Sequence, residues 1–202
     1  MLEKTNITQT TLRIVGLYND NYTKSLHLRE IARKTNTDVN TAYPQLNKLA
    51  EMNILSSTMK GKNKEYVLNL DNIITKYYLT MAEIFTAIVY LQKNFVIKKV
   101  MTEIESKVDG PLILFGSFVK GGYTKESDMD MFVIGQKNID KMIFRLKDLV
   151  GHEINIKVTN ESKFVNGLKN KDPLISEVIS NHIILKGADK FCDIMWRHYE
   201  FQ

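Results

Sequence analysis

Residues 112–135, LILFGSFVKGGYTKESDMDMFVIG, decide the fold of this chain. They contain two short apolar runs, Leu112–Phe115 and Met129–Ile134, each with the length and composition of a buried β-strand. Gly116 and Ser117 follow the first run directly. A glycine lets backbone and ligand approach closely, and a serine hydroxyl with nearby amides can hold a phosphate. The stretch therefore predicts two strands joined through a bend and a loop that suit an anionic ligand.

Two aspartates, Asp128 and Asp130, stand at the start of the second run with Met129 between them. Because side chains alternate along a strand, we expect both carboxylates on one face. Neighbouring carboxylates repel each other unless a cation lies between them, and Mg²⁺ that bridges triphosphate oxygens is the natural one. An isolated Asp-x-Asp pair usually lies in solvent. Its combination with a buried strand and Gly-Ser favours a site for metal-assisted phosphoryl chemistry.

This arrangement resembles the DNA polymerase beta-like nucleotidyltransferase superfamily, and its minimal single-domain members in particular, over about the second half of the chain. The resemblance implies that Gly116 and Ser117 bind the β- and γ-phosphates of a nucleoside triphosphate, with ATP the expected one. It also implies that Asp128 and Asp130 bind Mg²⁺. Lys120 stands where many relatives have an arginine, and we expect it to contact phosphate as a point charge.

Active members of that superfamily carry a third carboxylate on a later strand. In the matching segment HEINIKVTN, residues 152–160, Asn155 stands at that position. An amide cannot act as a general base and is a poorer metal ligand. Glu153 lies two residues earlier on the same face and could take the catalytic role. Alternatively, Glu153 is a carboxylate at the rim, paired with a lysine such as Lys157. Triphosphate binding is therefore expected, whereas turnover depends on Glu153.

The first 70 residues predict three short helices followed by a β-hairpin. Thr8 or Thr10 can cap the first helix. The third helix has apolar residues at spacings of 3, 4 and 3, which form one face. Pro44 has no amide to donate, so we expect this helix to begin near Asn40 or Thr41 with Pro44 in its first turn, or else to be kinked there.

Three helices and a hairpin with lysines at its tip are the parts of a winged helix-turn-helix, whose third helix enters the major groove of double-stranded DNA. The segments LHLREIARKTNTDVNTAYPQLNKLAEMNIL and GKNKEYVLNL also resemble the winged-helix domains of archaeal and bacterial transcription regulators. The expected DNA-binding side chains lie on the third helix and the hairpin: Asn40, Thr41, Tyr43, Gln45, Lys48, Lys60, Lys62 and Lys64. The alternative is a winged helix that makes only protein contacts, with its lysines in solvent.

Positive charge is concentrated in this first third of the chain. The chain carries a net charge of +5, with a pI near 9.1. Residues 1–70 hold ten lysines and arginines against six aspartates and glutamates, while residues 71–202 hold 18 against 17. The surplus favours a polyanionic partner for residues 1–70, whose lysine–phosphate contacts would weaken as salt rises.

Residues 71–93 predict a long helix with two apolar stripes. The stripes contain Ile74, Tyr78, Met81, Phe85 and Ile88, and then Tyr77, Ile84 and Leu91. A helix of this kind must be covered on more than one side, either between two domains or in a homodimer interface. The expected class is α+β, with a winged helix-turn-helix at 1–70, a connecting helix at 71–93 and a nucleotidyltransferase-type α/β domain at 94–202.

The sequence disfavours several other classes of protein. A single cysteine, Cys192, excludes an intrachain disulfide and a multi-cysteine zinc site, and the four histidines lie far apart. Glu3 and Lys4 interrupt any signal peptide, and the most apolar stretch, residues 79–91, is too short to span a bilayer. We therefore expect a cytoplasmic protein with no membrane contact.

Three functions fit these observations. The first is a DNA-binding transcriptional regulator whose second domain senses or modifies nucleotides. The second is an active nucleotidyltransferase that transfers a nucleoside monophosphate to a protein or RNA acceptor, with the winged helix for targeting. The third is the antitoxin-like half of a toxin–antitoxin pair. We prefer the first, because Asn155 at the position of the third carboxylate leaves turnover open.

Overall fold

The computed structural model describes residues 7–61, 63–138 and 143–200. The chain divides into two compact units. The first contains the residues up to Glu83 and those from Met195 onward, and the second contains Ile84–Ile194. Both helices and strands occur, so the α+β class expected from the sequence is confirmed. No helix in the described ranges combines the length and hydropathy that a bilayer crossing requires.

The first unit begins with three helices and a three-stranded antiparallel sheet. The helices are α1 (Gln9–Gly16), α2 (Leu28–Lys34) and α3 (Val39–Glu51). The strands are β1 (Leu26–His27), β2 (Leu55–Lys60) and β3 (Asn63–Leu68), in the order β1-β3-β2. The three helices and the hairpin expected from the sequence are therefore present, and the short strand before α2 adds a third strand to the hairpin.

Side-chain caps determine where α1 and α3 begin. The Oγ1 of Thr8 accepts the backbone N–H of Thr11 at 3.1 Å, so Thr8 rather than Thr10 caps α1. The Oδ1 of Asp38 accepts the backbone N–H of Thr41 at 2.8 Å and caps α3 in the same way. Each cap satisfies a donor that the first turn of a helix leaves without an internal partner.

Pro44 lies in the second turn of α3, so the prediction that it stands in the first turn was wrong. Because Asp38 caps the helix, Val39 is its first residue, ahead of Asn40 and Thr41. A proline at this position cannot donate to the carbonyl of Asn40, as an ordinary residue in a helix interior would. The helix therefore continues through Pro44 with one backbone donor fewer than an ordinary residue would supply.

The core of the first unit contains side chains from the helices and from the hairpin. Ala42, Leu46 and Leu49 of α3 are buried, as their spacing predicts, whereas Val39, the first residue of the same 3-4-3 pattern, is 40% exposed. Tyr18 is fully buried, and its hydroxyl donates to the carbonyl oxygen of Tyr66 in β3 at 2.8 Å. This hydrogen bond satisfies a polar group that burial would otherwise penalise, and burial raises the pKa of Tyr18.

The connecting segment forms two helices, α4 (Ile73–Lys93) and α5 (Phe95–Ile104), that are separated at Asn94. One side of α4 is buried, through Tyr78, Leu79, Ala82 and Ala87. Another side carries large apolar residues that are between 46% and 59% exposed: Ile74, Tyr77, Ile84 and Ile88. Part of the apolar surface expected on this helix is therefore covered and part is open.

The second unit contains a four-stranded mixed sheet and a separate two-stranded ladder. The strands are β4 (Val108–Asp109), β5 (Leu112–Phe115), β6 (Met129–Ile134), β7 (Gln136–Lys137), β8 (Ile154–Thr159) and β9 (Ile183–Lys186). The helices after α5 are α6 (Ser117–Lys120), α7 (Ile143–Val150), α8 (Glu161–Lys169), α9 (Pro173–Ser180) and α10 (Ala188–Glu200), whose residues from Met195 onward belong to the first unit. The four-stranded sheet has the order β8-β6-β5-β9, with β6 and β8 parallel and the other neighbours antiparallel, while β4 pairs with β7.

The two faces of this sheet pack against different helices. On one face, Leu114 of β5 and Met131 of β6 belong to the same apolar cluster as Ile97 of α5. On the other face, the ring of Phe132 contacts that of Phe164 in α8, with 6.1 Å between the centroids. Because side chains alternate along β6, Asp130 lies on the face of Phe132 and not on the face of Met131.

β5 ends in a bend at Gly116, which has φ 74° and ψ −149°. Residues other than glycine rarely adopt this combination of backbone angles. A Cβ built on Gly116 would lie 2.7 Å from Oδ2 of Asp130. The carboxylate of Asp130 therefore occupies the space that a side chain at position 116 would need.

We expect Gly116→Ala to lower the free energy of unfolding by about 3 kcal/mol or more, because backbone strain adds to the collision with Asp130. Gly121→Ala is the matched control. Gly121 has φ 79° and ψ 17°, and a Cβ built there meets no atom within 4 Å. Gly121→Ala should lower the free energy of unfolding by roughly 1 kcal/mol. Urea denaturation followed by far-ultraviolet circular dichroism measures both values.

The collision itself is isolated by a double-mutant cycle. In an Asp130→Ala background, Gly116→Ala should cost less, because the carboxylate that collides with the new side chain is gone. If Gly116→Ala lowers the free energy of unfolding equally in both backgrounds, a side chain at position 116 does not collide with the carboxylate of Asp130.

Candidate functional site

Asp128, Asp130 and Asn155 form the centre of the candidate site. Asp130 and Asn155 are partners in the parallel register of β6 and β8. The Nδ2 of Asn155 donates to Oδ2 of Asp128 at 3.0 Å, and the same side chain hydrogen-bonds to Asp130. One amide therefore adjoins both carboxylates, which the structure brings together at the start of β6.

The carboxyl group of Asp130 has a raised pKa. Burial is the largest cause, the hydrogen bond from Asn155 opposes it, and the negative charge of Asp128 raises the pKa further. Desolvation and a neighbouring like charge both disfavour an ionised carboxylate. A cation beside Asp128 and Asp130 would offset both effects, so the pair fits a divalent metal ion.

The described part of the chain contains no group of three or more histidine, cysteine, aspartate or glutamate side chains that could hold a metal ion. Asp128 and Asp130 supply only two carboxylates. Mg²⁺ that is held by one or two carboxylates commonly completes its shell with substrate phosphates and water. The geometry thus fits a metal ion that binds together with a phosphate-bearing ligand.

The bend at Gly116 lies beside Asp130 and leads directly into Ser117. Ser117 is the first residue of α6 and is half-buried. The carbonyl oxygen of Gly116 accepts the backbone N–H groups of Val119 and Lys120 at 3.2 and 3.1 Å, which fixes this short helix to the end of β5. Gly116, Ser117 and Asp130 therefore lie together, as the proposed roles of these residues require.

Lys120 ends α6 and forms an ion pair with Glu177 of α9. Their Nζ and Oε1 atoms are 2.9 Å apart, and both side chains are about half exposed. The negative charge of Glu177 also contributes to the raised pKa of Asp130. The sequence argument did not include Glu177, because it lies 57 residues from Lys120 and no local pattern joins them.

Glu153 forms an exposed ion pair with Lys147 of α7. The hydrogen bond and charge of Lys147 lower the pKa of Glu153, and Glu153 in turn raises the pKa of Lys147. This geometry matches the rim alternative for Glu153, with Lys147 in place of the suggested Lys157. The positive charge of Lys157 instead lowers the pKa of Asp130.

An aromatic cluster supports the loop that leads to Asp128. The ring of Tyr123 stacks on that of Phe118 with 4.3 Å between centroids. The ring of His152 meets Phe118 edge-on, and its Nδ1 donates to the carbonyl oxygen of Ser127 at 3.0 Å. His152 lies 25 residues from Ser127 in the sequence, and no local pattern predicts this contact.

The expected DNA-binding residues on α3 differ in exposure. Asn40, Thr41 and Tyr43 are exposed, although the hydroxyl of Thr41 already donates to Oδ2 of Asp38 at 2.6 Å. Gln45 and Lys48 are half-buried. The Oε1 of Gln45 is buried and has no hydrogen-bond partner among the described residues. The outer surface of α3 is therefore formed mainly by the residues of its first two turns.

Two of the expected hairpin lysines are described. Lys60 is exposed, with its Nζ 3.8 Å from a carboxylate oxygen of Glu65. Lys64 is exposed, with its Nζ 5.5 Å from the centroid of the Tyr66 ring. Lys62, between them at the tip, lies outside the described residues.

Comparison with known proteins identifies the second unit. Residues 97–185 match the nucleotidyltransferase domain family. A curated relative from Methanocaldococcus jannaschii, named "Putative protein adenylyltransferase", is 36% identical over 74 residues, which cover 34% of this chain and 74% of the relative. No solved structure matches the chain. The chain therefore belongs to the nucleotidyltransferase domain family.

Proposed function

We propose that this chain is a DNA-binding regulator whose second unit binds a nucleoside triphosphate together with Mg²⁺. The observation that carries the nucleotide part is the pair of carboxylates, Asp128 and Asp130, that adjoins the amide of Asn155 beside the bend at Gly116. Membership of the nucleotidyltransferase domain family supports the same conclusion. ATP is the proposed nucleotide, because the Methanocaldococcus relative bears the name of an adenylyltransferase.

In this proposal, Asp128 and Asp130 bind Mg²⁺, and the bend after β5 binds phosphate. Gly116 lets the backbone approach phosphate oxygens, and the hydroxyl of Ser117 donates a hydrogen bond to one of them. Lys120 contributes a positive charge without bidentate geometry. Bound Mg²⁺ would supply the positive charge that offsets both the carboxylates and the triphosphate.

Transfer of AMP to a protein hydroxyl is a second candidate function, which the name of the relative favours. The acceptor oxygen would bond to the α-phosphorus of ATP, the bond from that phosphorus to the bridging oxygen would break, and pyrophosphate would leave with the electron pair. The hydroxyl proton must then pass to a base. Asn155 cannot accept it, and Glu153 is paired with Lys147. We therefore propose nucleotide binding ahead of transfer.

Replacing both aspartates, Asp128→Asn with Asp130→Asn, should weaken the binding of ATP in the presence of Mg²⁺ by at least about tenfold, because the metal ligands are lost. Without Mg²⁺, the variant should bind ATP no more weakly than the unaltered chain, since two negative charges near the triphosphate are gone. Isothermal titration calorimetry with and without a chelator measures both affinities.

The matched control removes two exposed carboxylates elsewhere in the second unit, Asp109→Asn with Asp189→Asn. This variant should bind ATP with Mg²⁺ as the unaltered chain does. Unchanged affinity in the Asp128 and Asp130 variant would refute the site. Incubation with ATP labelled at its α-phosphate separates the two candidate functions, because binding without label on any protein acceptor rules out transfer.

We propose that the first unit is a winged helix-turn-helix that binds double-stranded DNA. Support comes from the order of its elements, with a short strand before α2 that joins the hairpin, and from the exposed residues of α3. The net charge of +4 over residues 1–70 has the sign that a phosphate backbone attracts. In this proposal α3 contacts base edges, and the hairpin lysines contact phosphates.

The variant Lys60→Gln with Lys64→Gln tests the role of the hairpin. On a mixed-sequence duplex, it should reduce the slope of log affinity against log salt by about one for each lysine, because fewer counterions are released. Fluorescence anisotropy at several salt concentrations measures the slope. Lys98→Gln with Lys99→Gln, on α5, is the control that should leave the slope unchanged. An unaltered slope in the hairpin variant would indicate that the hairpin does not contact DNA.

We also propose that the exposed apolar side of α4 binds a second copy of the chain. Ile74, Tyr77, Ile84 and Ile88 follow the three- and four-residue spacing of helices that pair along their length. Light scattering should then give twice the 23.4 kDa of one chain, and Ile88→Glu should give a single chain. Met59→Glu, on the hairpin and 68% exposed, is the control that should remain dimeric. A monomeric unaltered chain would contradict the proposal.

A further inference from the structure

The ion pair between Lys120 and Glu177 joins the phosphate-binding bend to a separate helix. Lys120 ends α6, and Glu177 projects from α9, which is anchored by the buried residues Ile175, Val178 and Ile179. Asp172 caps this helix by accepting the N–H of Ile175 at 3.0 Å. The position of Glu177 is therefore set by the packing of α9, independently of Lys120.

This ion pair has little to contribute to the stability of the fold. The side chains of Lys120 and Glu177 are 49% and 45% exposed, and ion pairs at such exposure usually add less than about 1 kcal/mol. Removal of either charge should thus leave the second unit folded. A change in ligand affinity in a variant of Lys120 or Glu177 can therefore be attributed to the lost charge and not to unfolding.

Glu177 adds a negative charge where an anionic ligand would have to bind. Its charge acts on Asp130 together with that of Asp128, so three carboxylates share this part of the unit. No group of three acidic or other ligating side chains in the described ranges could hold a metal ion, which argues against Glu177 as a ligand of the metal. Its evident partner is the ammonium group of Lys120.

We infer that Glu177 restrains nucleotide binding, because it occupies the ammonium group of Lys120 that a triphosphate must engage. This inference rests on the proposed function of the second unit. A triphosphate that reaches Lys120 takes the place of the Glu177 carboxylate and carries more negative charge than it does. The carboxylate of Glu177 is then solvated by water. Glu177 therefore sets the affinity of the site without contacting the metal ion, and it acts through Lys120.

The test is a double-mutant cycle on the full chain, with ATP and Mg²⁺ as the probe in calorimetry. Glu177→Gln should tighten binding about two- to fivefold, because the competing carboxylate is removed. Lys120→Gln should weaken binding. In the Lys120→Gln background, Glu177→Gln should change the affinity by much less, since the ammonium group that it releases is absent.

A control variant, Glu30→Gln, removes the carboxylate of another 2.9 Å ion pair, that with Lys34 in the first unit, and should leave ATP binding unchanged. Weaker binding by Glu177→Gln would make Glu177 a ligand and overturn the inference. Equal effects of Glu177→Gln in both backgrounds would also overturn it, because Glu177 would then act without Lys120. Absence of Mg²⁺-dependent ATP binding by the unaltered chain would instead refute the proposed function together with the inference.

Discussion

The close approach between the carboxylate of Asp130 and the backbone of Gly116 determines the arrangement of the candidate site. Only a residue without a side chain fits beside that carboxylate and adopts the backbone angles of the bend. The bend then sets the start of α6, and hence the positions of Ser117 and Lys120. The register of β6 with β8 brings Asn155 to Asp130 from the other side. The carboxylate of Asp130 and the bend at Gly116 are thus parts of one packing arrangement.

The amide of Asn155 affects the proposed nucleotide binding and the proposed nucleotide transfer in different ways. As a hydrogen-bond donor, it contacts Asp128 and opposes the rise in the pKa of Asp130 that burial and the charge of Asp128 cause. A carboxylate at the same place would add a third negative charge and a proton acceptor. The observed side chain therefore suits a site that holds a metal ion and a triphosphate, whereas transfer needs a base that neither Asn155 nor the paired Glu153 readily provides.

Local spacing predicted the parts of this structure that depend on neighbours in sequence. The apolar spacing of α3 predicted that Ala42, Leu46 and Leu49 are buried, although Val39 at the start of the same pattern is 40% exposed. Pro44 was misplaced because Asp38 was not predicted as the cap that starts the helix at Val39. Glu177 could not be found from sequence, because its relation to the site depends on how α9 packs against the sheet.

In the proposed function, the charges around the site favour the joint binding of a metal ion and a nucleotide. Three lysines around the site have an acidic neighbour: Lys120 with Glu177, Lys147 with Glu153, and Lys157 with Asp130. A free triphosphate would meet carboxylates and lysines whose charge is largely offset. A free divalent ion would meet Asp128 and Asp130 beside an amide that donates its hydrogen to Asp128. Because each ligand supplies the charge that the other lacks, binding of either one should strengthen the binding of the other.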